Sequence, residues 1–321
     1  MAIKIKAKSP TVNSEPELND SPLTAPEQPV QSAPYEALEP KASHCIEDNS
    51  DTSFNFDSAD VAAIDRSLLG WHSPNYSKSR SVTLNPDVLH ANRCIAFDGD
   101  MTTIDSYKVL RAQILQKMNF SGGNTLMVTS TLPGEGKTTT AINLAFIMAK
   151  EFQQTVLLVD CDLQQQNIHD YLGYSSDKGL INYLLDDCPV TELFTWPGVE
   201  KITLISGGRT IRDSSELLGS PRMKDLVADM KLRYPNRFVI FDMQSTFAGA
   251  DTLVFAPLVD HILMVVKEGH TPAKDVKRAI SLLPKDKLLG LMLNRHKASS
   301  HIRTPSPSQK KVFASDDSTN H

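Results

Sequence analysis

The chain has little of what would place it outside a cell or within a membrane. Its four cysteines, Cys45, Cys94, Cys161 and Cys188, show no CxxC and no metal-ligand spacing. That excludes a disulfide framework and a structural zinc site, and it fits a reducing compartment. No apolar run approaches the roughly 18 residues of a membrane-spanning helix. Lys4, Lys6 and Lys8 have no apolar core behind them, so the pattern of a signal peptide is missing. These absences predict a cytoplasmic protein. No internal repeat is visible, and no tyrosine follows Tyr234.

What is present is unevenly spread. Residues 1–60 hold eleven acids and four lysines, a net −7 against −5 for all 321 residues, so the remainder is about +2. The same stretch has seven of the nineteen prolines and eight serines. Such a segment buries too little apolar surface to offset chain entropy, which predicts a disordered acidic tail over 1–60. Residues 61–102 read as a variable linker with one short amphipathic helix at Val61–Leu69 and an extended segment over Val82–Phe97. Beyond 295 the composition turns to Ser, Lys, Pro and Asn, and a second disordered tail is expected over 296–321.

Between the tails the chain is organised around residues 125–140. An apolar, β-prone run, Thr125 to Ser130, enters a turn built on Pro133, Gly134, Glu135 and Gly136; Lys137, Thr138 and Thr139 follow, and Ala141–Lys150 reads as an amphipathic helix. Strand, glycine-rich turn and helix form the context of a phosphate-binding loop. Backbone N–H groups and a helix N-terminus there make an anion site. Lys137 would reach the terminal phosphates and the Thr138 hydroxyl a Mg²⁺ ion. One departure from G-x-x-x-x-G-K-[ST] is Thr131, where the first glycine should stand.

Three further features share this logic. Thr155–Val159 is apolar on both faces and leads to Asp160-Cys161-Asp162; Phe238–Phe241 leads to Asp242; Leu288–Leu293 leads to Asn294. Continuous apolar runs suit strands buried in a parallel sheet, and acids at their C-terminal ends lie where open α/β sheets bind ligands. Thr103–Met118 has apolar residues at helical spacing. Gly179–Leu185, Ser214–Arg233 (broken at Gly219-Ser220-Pro221), Ala248–Phe255 and Thr271–Leu283 also read as helices, the last capped by Thr271 with Pro272 at its first position. Ile202–Ile205 and His261–Val266 read as strands. The alternation predicts a doubly wound, mostly parallel sheet over about 103–295.

Ser130-x-x-Pro133-Gly134-Glu135-Gly136-Lys137-Thr138, the run ending Asp160-Cys161-Asp162, and Val-Ile-Phe-Asp242 together resemble the bacterial tyrosine kinases. These are phosphate-loop proteins of the partition-ATPase clan that control capsule and exopolysaccharide export. Ala141–Ala145, Ser215–Leu218 with Arg222-Met223, and Leu293-Asn294 strengthen the likeness, which is nearest to the autokinases of exosortase-linked clusters. The resemblance implies ATP and Mg²⁺ as cofactors. It implies Lys137, Asp162 and Asp160 as catalytic residues, with Asp162 activating a tyrosine hydroxyl. Residues 133–139 and Asn294 would hold nucleotide, and Thr138, Asp160 and Asp242 the metal. Asp105-x-x-Lys108-x-x-Arg111 matches, with substitutions, a motif through which relatives form rings, although a solvated helix face explains it equally well. A membrane chain-length or co-polymerase protein is the implied partner, bringing the chain to the inner membrane; no nucleic acid is expected.

The departures matter as much. Gln164 stands where the family carries an arginine beside the terminal phosphate, and Gln244-Ser245 replaces a pair of prolines after the strand-end acid. The C-terminal tyrosine cluster is absent, which leaves Tyr35, Tyr76 and Tyr107 as candidate acceptors. Three functions follow: a tyrosine (auto)kinase, a nucleotide-responsive regulator without transfer activity, and a partition-type ATPase. Against the third stands the lack of a second lysine early in the loop.

Overall fold

The computed structural model describes residues 3–4, 79–94, 99–151, 154–233 and 236–296. Strands β1 (Ile3–Lys4), β2 (Arg80–Ser81), β3 (Thr125–Ser130), β4 (Thr155–Asp160), β5 (Thr195–Trp196), β6 (Ile202–Ile205), β7 (Arg237–Asp242), β8 (His261–Lys267) and β9 (Leu288–Asn294) form one sheet. Its order is β1-β9-β8-β3-β7-β4-β6-β5-β2. The six strands from β9 to β6 pair in parallel. At the edges β5 runs antiparallel to β6, and β1 antiparallel to β9. The doubly wound, mostly parallel sheet expected from the sequence is therefore present.

Helices cover both faces: α1 (Pro86–Ala91), α2 (Met101–Ser121), α3 (Lys137–Met148) and α4 (Ile168–Leu172) on one side; α5 (Leu180–Leu185), α6 (Ser214–Leu218), α7 (Pro221–Arg233), α8 (Asp251–Phe255) and α9 (Ala273–Leu282) on the other. Strand alternation divides the core between them. Leu126, Val128, Val156, Leu158, Phe238 and Ile240 pack toward α3, while Met127, Leu157, Val159, Val239 and Phe241 pack toward α7 and α8. By that parity Asp160 and Asp242, two residues beyond Leu158 and Ile240, lie on the α3 side.

Helix α2 buries Tyr107, Leu110, Ile114 and Met118, spaced three or four residues apart, against α3. Asp100 caps it, accepting from the Thr103 N–H at 2.9 Å. Replacing the fully buried Ile114 by alanine should cost about 2–5 kcal/mol.

Several expectations need correction. Helix α3 starts at Lys137 and is buried on nearly every face, not amphipathic, because α2 closes the side that would otherwise meet water. The described part of Val82–Phe97 is not an extended segment: it contains α1, where the Asn85 side chain accepts from the N–H groups of Asp87 and Val88 and Pro86 takes the first turn. Helix α9 begins at Ala273 with Pro272 as its cap, because the Thr271 hydroxyl is drawn away to the Glu135 carboxylate. The expected helix at Val61–Leu69 lies outside the described residues, as do nearly all of 1–60 and the residues after His296.

Candidate nucleotide site

The phosphate loop joins β3 to α3 at the C-terminal edge of the sheet. Gly134 and Gly136 have φ of 77° and 93°, the left-handed region that glycine enters without steric cost. Thr131 is not among the residues with positive φ, so a threonine fits there, fully buried, with its hydroxyl 3.6 Å from the Met264 sulfur. The missing first glycine therefore leaves the turn intact.

Glu135 works as a brace. Its buried carboxylate accepts from the Leu132 N–H at 2.7 Å and the Lys267 N–H at 3.2 Å, and from the Thr271 hydroxyl. Asn294 supports the loop from the end of β9, donating its amide N–H to the Glu135 carbonyl at 2.8 Å. A Cβ at Gly136 would meet that amide at 2.2 Å. Both residues were expected to touch nucleotide; in the structure their side chains hold the loop in shape.

The acids gather around one lysine. Lys137 donates to the Asp162 carboxylate at 2.7 Å and to the Thr138 hydroxyl at 3.2 Å, and stands 3.9 Å from Asp242. Burial lowers its pKa, but Asp242 and Asp162 outweigh that, and the net shift is upward. Asp160 and Asp242 are register partners on adjacent parallel strands. The Asp160 carboxylate accepts from the N–H groups of Asp162 at 3.2 Å and Ile168 at 3.0 Å, fixing the turn that leads into α4. Burial and the charge of Asp242 push Asp160 well above the usual carboxylate range. Asp242 is raised too, chiefly by burial, with Lys137 opposing.

Both Asp242 oxygens are buried without a hydrogen-bond partner. An orphaned carboxylate of this kind carries a large desolvation cost. Asp162 and Asp242 against one ammonium also leave negative charge in excess, and that excess is part of what raises Asp160. A hard divalent cation would satisfy both, and the Thr138 hydroxyl beside the lysine is a second oxygen donor. Among the described residues no group of three His, Cys, Asp or Glu side chains could hold a metal. Mg²⁺ characteristically keeps several waters and takes phosphate oxygens as ligands beside one or two carboxylates.

The sequence singled out Gln164 and Gln244-Ser245 but not their surroundings. The side-chain atoms Gln244 Nε2, Ser245 Oγ and Thr246 Oγ1, on the loop after β7, are also buried and unpartnered. Gln164, exposed at the rim, donates to the Ser214 hydroxyl at 3.1 Å, which donates in turn to Asp251 at 2.5 Å. No local signal marks Ser214 or Asp251, because they reach Gln164 only through tertiary packing.

Other sequence candidates fall elsewhere. Asp105 and Lys108 pair with each other on α2 at 2.9 Å. Arg111 is occupied within the chain, on Glu151 at 2.9 Å and on the Ile147 carbonyl at 3.0 Å. The Tyr107 ring is 5% exposed in the core, a poor position for a phosphate acceptor. Tyr35 and Tyr76 lie outside the described residues.

With this geometry in place, the chain can be compared with known proteins. The model of the CobQ/CobB/MinD/ParA nucleotide binding domain matches residues 126–316. Tyrosine-protein kinase YwqD of Bacillus subtilis (strain 168) is 30% identical over 199 residues, covering 61% of this chain and 83% of that protein. The succinoglycan biosynthesis transport protein ExoP of Rhizobium meliloti (strain 1021) is 28% identical over 205 residues, covering 60% of this chain. The chain spans only 25% of that much longer relative. Among solved structures, the kinase domain of Escherichia coli tyrosine kinase ETK superposes with a TM-score of 0.54 at 26% identity, over 61% of this chain and 78% of that one.

Proposed function

Since the chain belongs to the CobQ/CobB/MinD/ParA nucleotide-binding family, on its bacterial tyrosine-kinase branch, we propose that it is an ATP-dependent protein-tyrosine kinase acting on itself or a partner in exopolysaccharide biosynthesis or export. The observation that carries this reading is the grouping of Lys137, Asp162, Thr138 and the unpartnered Asp242 at the mouth of the phosphate loop.

Phosphoryl transfer asks the protein mainly for position and charge. The backbone N–H groups of residues 134–138 would receive the β- and γ-phosphates. Lys137 lies on an Asp162 oxygen now; drawn to the phosphates, it would release that oxygen to accept the proton of a tyrosine hydroxyl. The tyrosine oxygen then bonds to the γ-phosphorus, the bond to the β–γ bridging oxygen breaks, and ADP departs with the electron pair. Asp162 is thus kept occupied until nucleotide arrives. Thr138 and Asp242, with Asp160 fixed alongside, are the residues that would hold Mg²⁺, which neutralises charge on the phosphate oxygens.

The same reading includes a membrane co-polymerase as partner, which would recruit the chain to the inner membrane, and self-association through the exposed Asp105–Lys108 face of α2. Among the described residues no helix is long and apolar enough to cross a membrane. A second reading, a nucleotide-responsive regulator, is favoured by Gln164, since a neutral amide there cannot stabilise transition-state charge as a guanidinium does.

Incubation with labelled Mg-ATP, analysed for phosphotyrosine and free phosphate, separates the readings. Phosphotyrosine that disappears in Lys137→Ala supports the kinase. Tight ATP binding with no phosphotyrosine would refute it in favour of the regulator. Lys137→Ala should also weaken Mg-ATP binding at least tenfold, about 1.4 kcal/mol.

A further inference from the structure

The loop that follows β7 carries a run of polar atoms that the fold does not use. Gln244 Nε2, Ser245 Oγ and Thr246 Oγ1 are buried without a hydrogen-bond partner, and their residues are 4%, 2% and 3% exposed. They follow closely on Asp242, whose two oxygens are in the same state. Burying a polar group unsatisfied is costly, and a native structure keeps few of them. Three in succession beside a phosphate loop mark a place built for a ligand. The prolines that Gln244-Ser245 replaces would bring neither an amide nor a hydroxyl there.

The loop backbone is fixed against the phosphate loop. The Gln244 carbonyl accepts from the hydroxyls of Thr129 at 2.7 Å and Thr252 at 2.8 Å. The Thr246 N–H donates to the Ser130 carbonyl at 2.8 Å, and the Phe247 N–H to the Thr131 carbonyl at 3.3 Å. These contacts carry the pairing of β3 onward to the first residues of the turn. A Cβ at Gly249 would stand 3.1 Å from Gln244 Nε2, so glycine leaves the amide its room.

The chemistry of the set selects its occupant. All three groups are neutral, so they offer a phosphate no charge beyond what Lys137 and the loop N–H groups give. One amide N–H donates, and two hydroxyls can accept. That complements a single water molecule, and buried waters typically make about three hydrogen bonds to otherwise unsatisfied groups. We infer that Gln244, Ser245 and Thr246 hold the attacking water of an ATP hydrolysis that runs beside transfer to tyrosine. The Gln244 N–H donates to the water oxygen and the two hydroxyls accept its protons, which leaves one lone pair for the γ-phosphorus. Glutamine orients the attacking water in other phosphate-loop enzymes. The water oxygen bonds to the γ-phosphorus, the bond to the β–γ bridging oxygen breaks, and ADP leaves with the electron pair. One water proton moves to a γ-phosphate oxygen, giving dihydrogen phosphate. This inference rests on the nucleotide reading above and adds the residues that decide how much phosphate goes to water.

The test uses the full chain with labelled Mg-ATP and reads free phosphate and phosphotyrosine in one reaction, with ATP and ADP affinity from calorimetry. Wild type should go on releasing phosphate after phosphotyrosine levels off, because acceptor hydroxyls run out and water does not. Gln244→Ala/Ser245→Ala should release phosphate at least tenfold more slowly, through kcat and not KM, with ATP affinity and phosphotyrosine formation unchanged. Unchanged affinity also reports a folded cradle. Thr246→Ser, which keeps the hydroxyl, should retain phosphate release, and Thr246→Val should lose it. Phosphate release that stops with phosphotyrosine, hydrolysis at the wild-type rate in the double variant, or an equal fall in both products overturns the inference and leaves the kinase reading standing. Weaker ATP binding with normal ADP binding in the double variant would assign the three groups to the γ-phosphate itself, and also overturns it. Phosphate without any phosphotyrosine in wild type refutes the kinase reading and leaves the inference standing; wild type that binds no ATP removes both.

Discussion

Asp242→Asn isolates the electrostatic argument, because it keeps the shape of the side chain and removes one charge. In the wild type the carboxylate is fully buried, has no hydrogen-bond partner, and faces Asp160 across the β4–β7 register. Lys137 stands 3.9 Å away but already serves Asp162 at 2.7 Å. Without metal, the substitution relieves a site in which Asp162 and Asp242 share one ammonium and Asp160, its pKa already raised by burial and by Asp242, lies beside them. Replacing buried ions by neutral groups can stabilise by about 1–4 kcal/mol. The partial attraction of Lys137 argues for the lower half, about 1–2 kcal/mol. In a domain of this size that raises Tm by roughly 2–8 °C.

The gain should depend on pH. A carboxylate whose pKa is raised in the folded state binds its proton more tightly there than in the unfolded chain. Its stabilising contribution is complete below the ordinary carboxylate pKa near ~4 and is lost as pH rises through the folded value. The variant's advantage over wild type should therefore vanish near pH 4 and grow toward neutrality. Thermal unfolding followed across that range, with and without Mg-ATP, measures both effects. At a hundredfold excess over Kd, Mg-ATP should stabilise wild type by about 2.7 kcal/mol and the variant far less. A variant less stable than wild type without metal at pH 7 would refute the charge argument; an undiminished Mg-ATP increment would refute Asp242 as a metal ligand.

Two other substitutions probe neighbouring parts of the site. Gln164→Arg should raise phosphotyrosine formation with little change in ATP affinity, since a charge serving the transition state appears in turnover rather than in binding; an unchanged rate would show that the missing cation is not what limits transfer. Glu135→Gln should weaken the contacts to Leu132, Lys267 and Thr271 and cost about 1–3 kcal/mol in chemical denaturation, and wild-type stability in that variant would mean the brace carries no energy.

The parts of this molecule that were legible in the sequence are those written locally. The phosphate loop announces itself within sixteen residues, and apolar runs ending in Asp160, Asp242 and Asn294 mark where strands stop. Asn85-Pro86-Asp87 carries an equally local signal, a cap, a helix-starting proline and a first-turn acid, which outweighs the extended pattern expected over Val82–Phe97. What remained hidden depends on neighbours far along the chain. The pairing of Asp160 with Asp242 follows from strand order. The all-round burial of α3 follows from the docking of α2. The role of Glu135 follows from Lys267 and Thr271, and the docking of α1 from contacts to α3 and to the end of α4.

The bracing of the loop also sets an order of assembly. Glu135 is held by groups 132 and 136 positions downstream, and its carbonyl by Asn294, 159 positions away. Contacts of such separation form late, after the loop-closure cost of the intervening chain has been met. During synthesis the strand, turn and helix around Lys137 emerge long before the residues that steady them. The cradle therefore reaches its final shape only once β9 has left the ribosome and docked, so nucleotide capture is deferred to chains made at least through Asn294, and a product cut short before β9 folds most of its sheet without gaining the site.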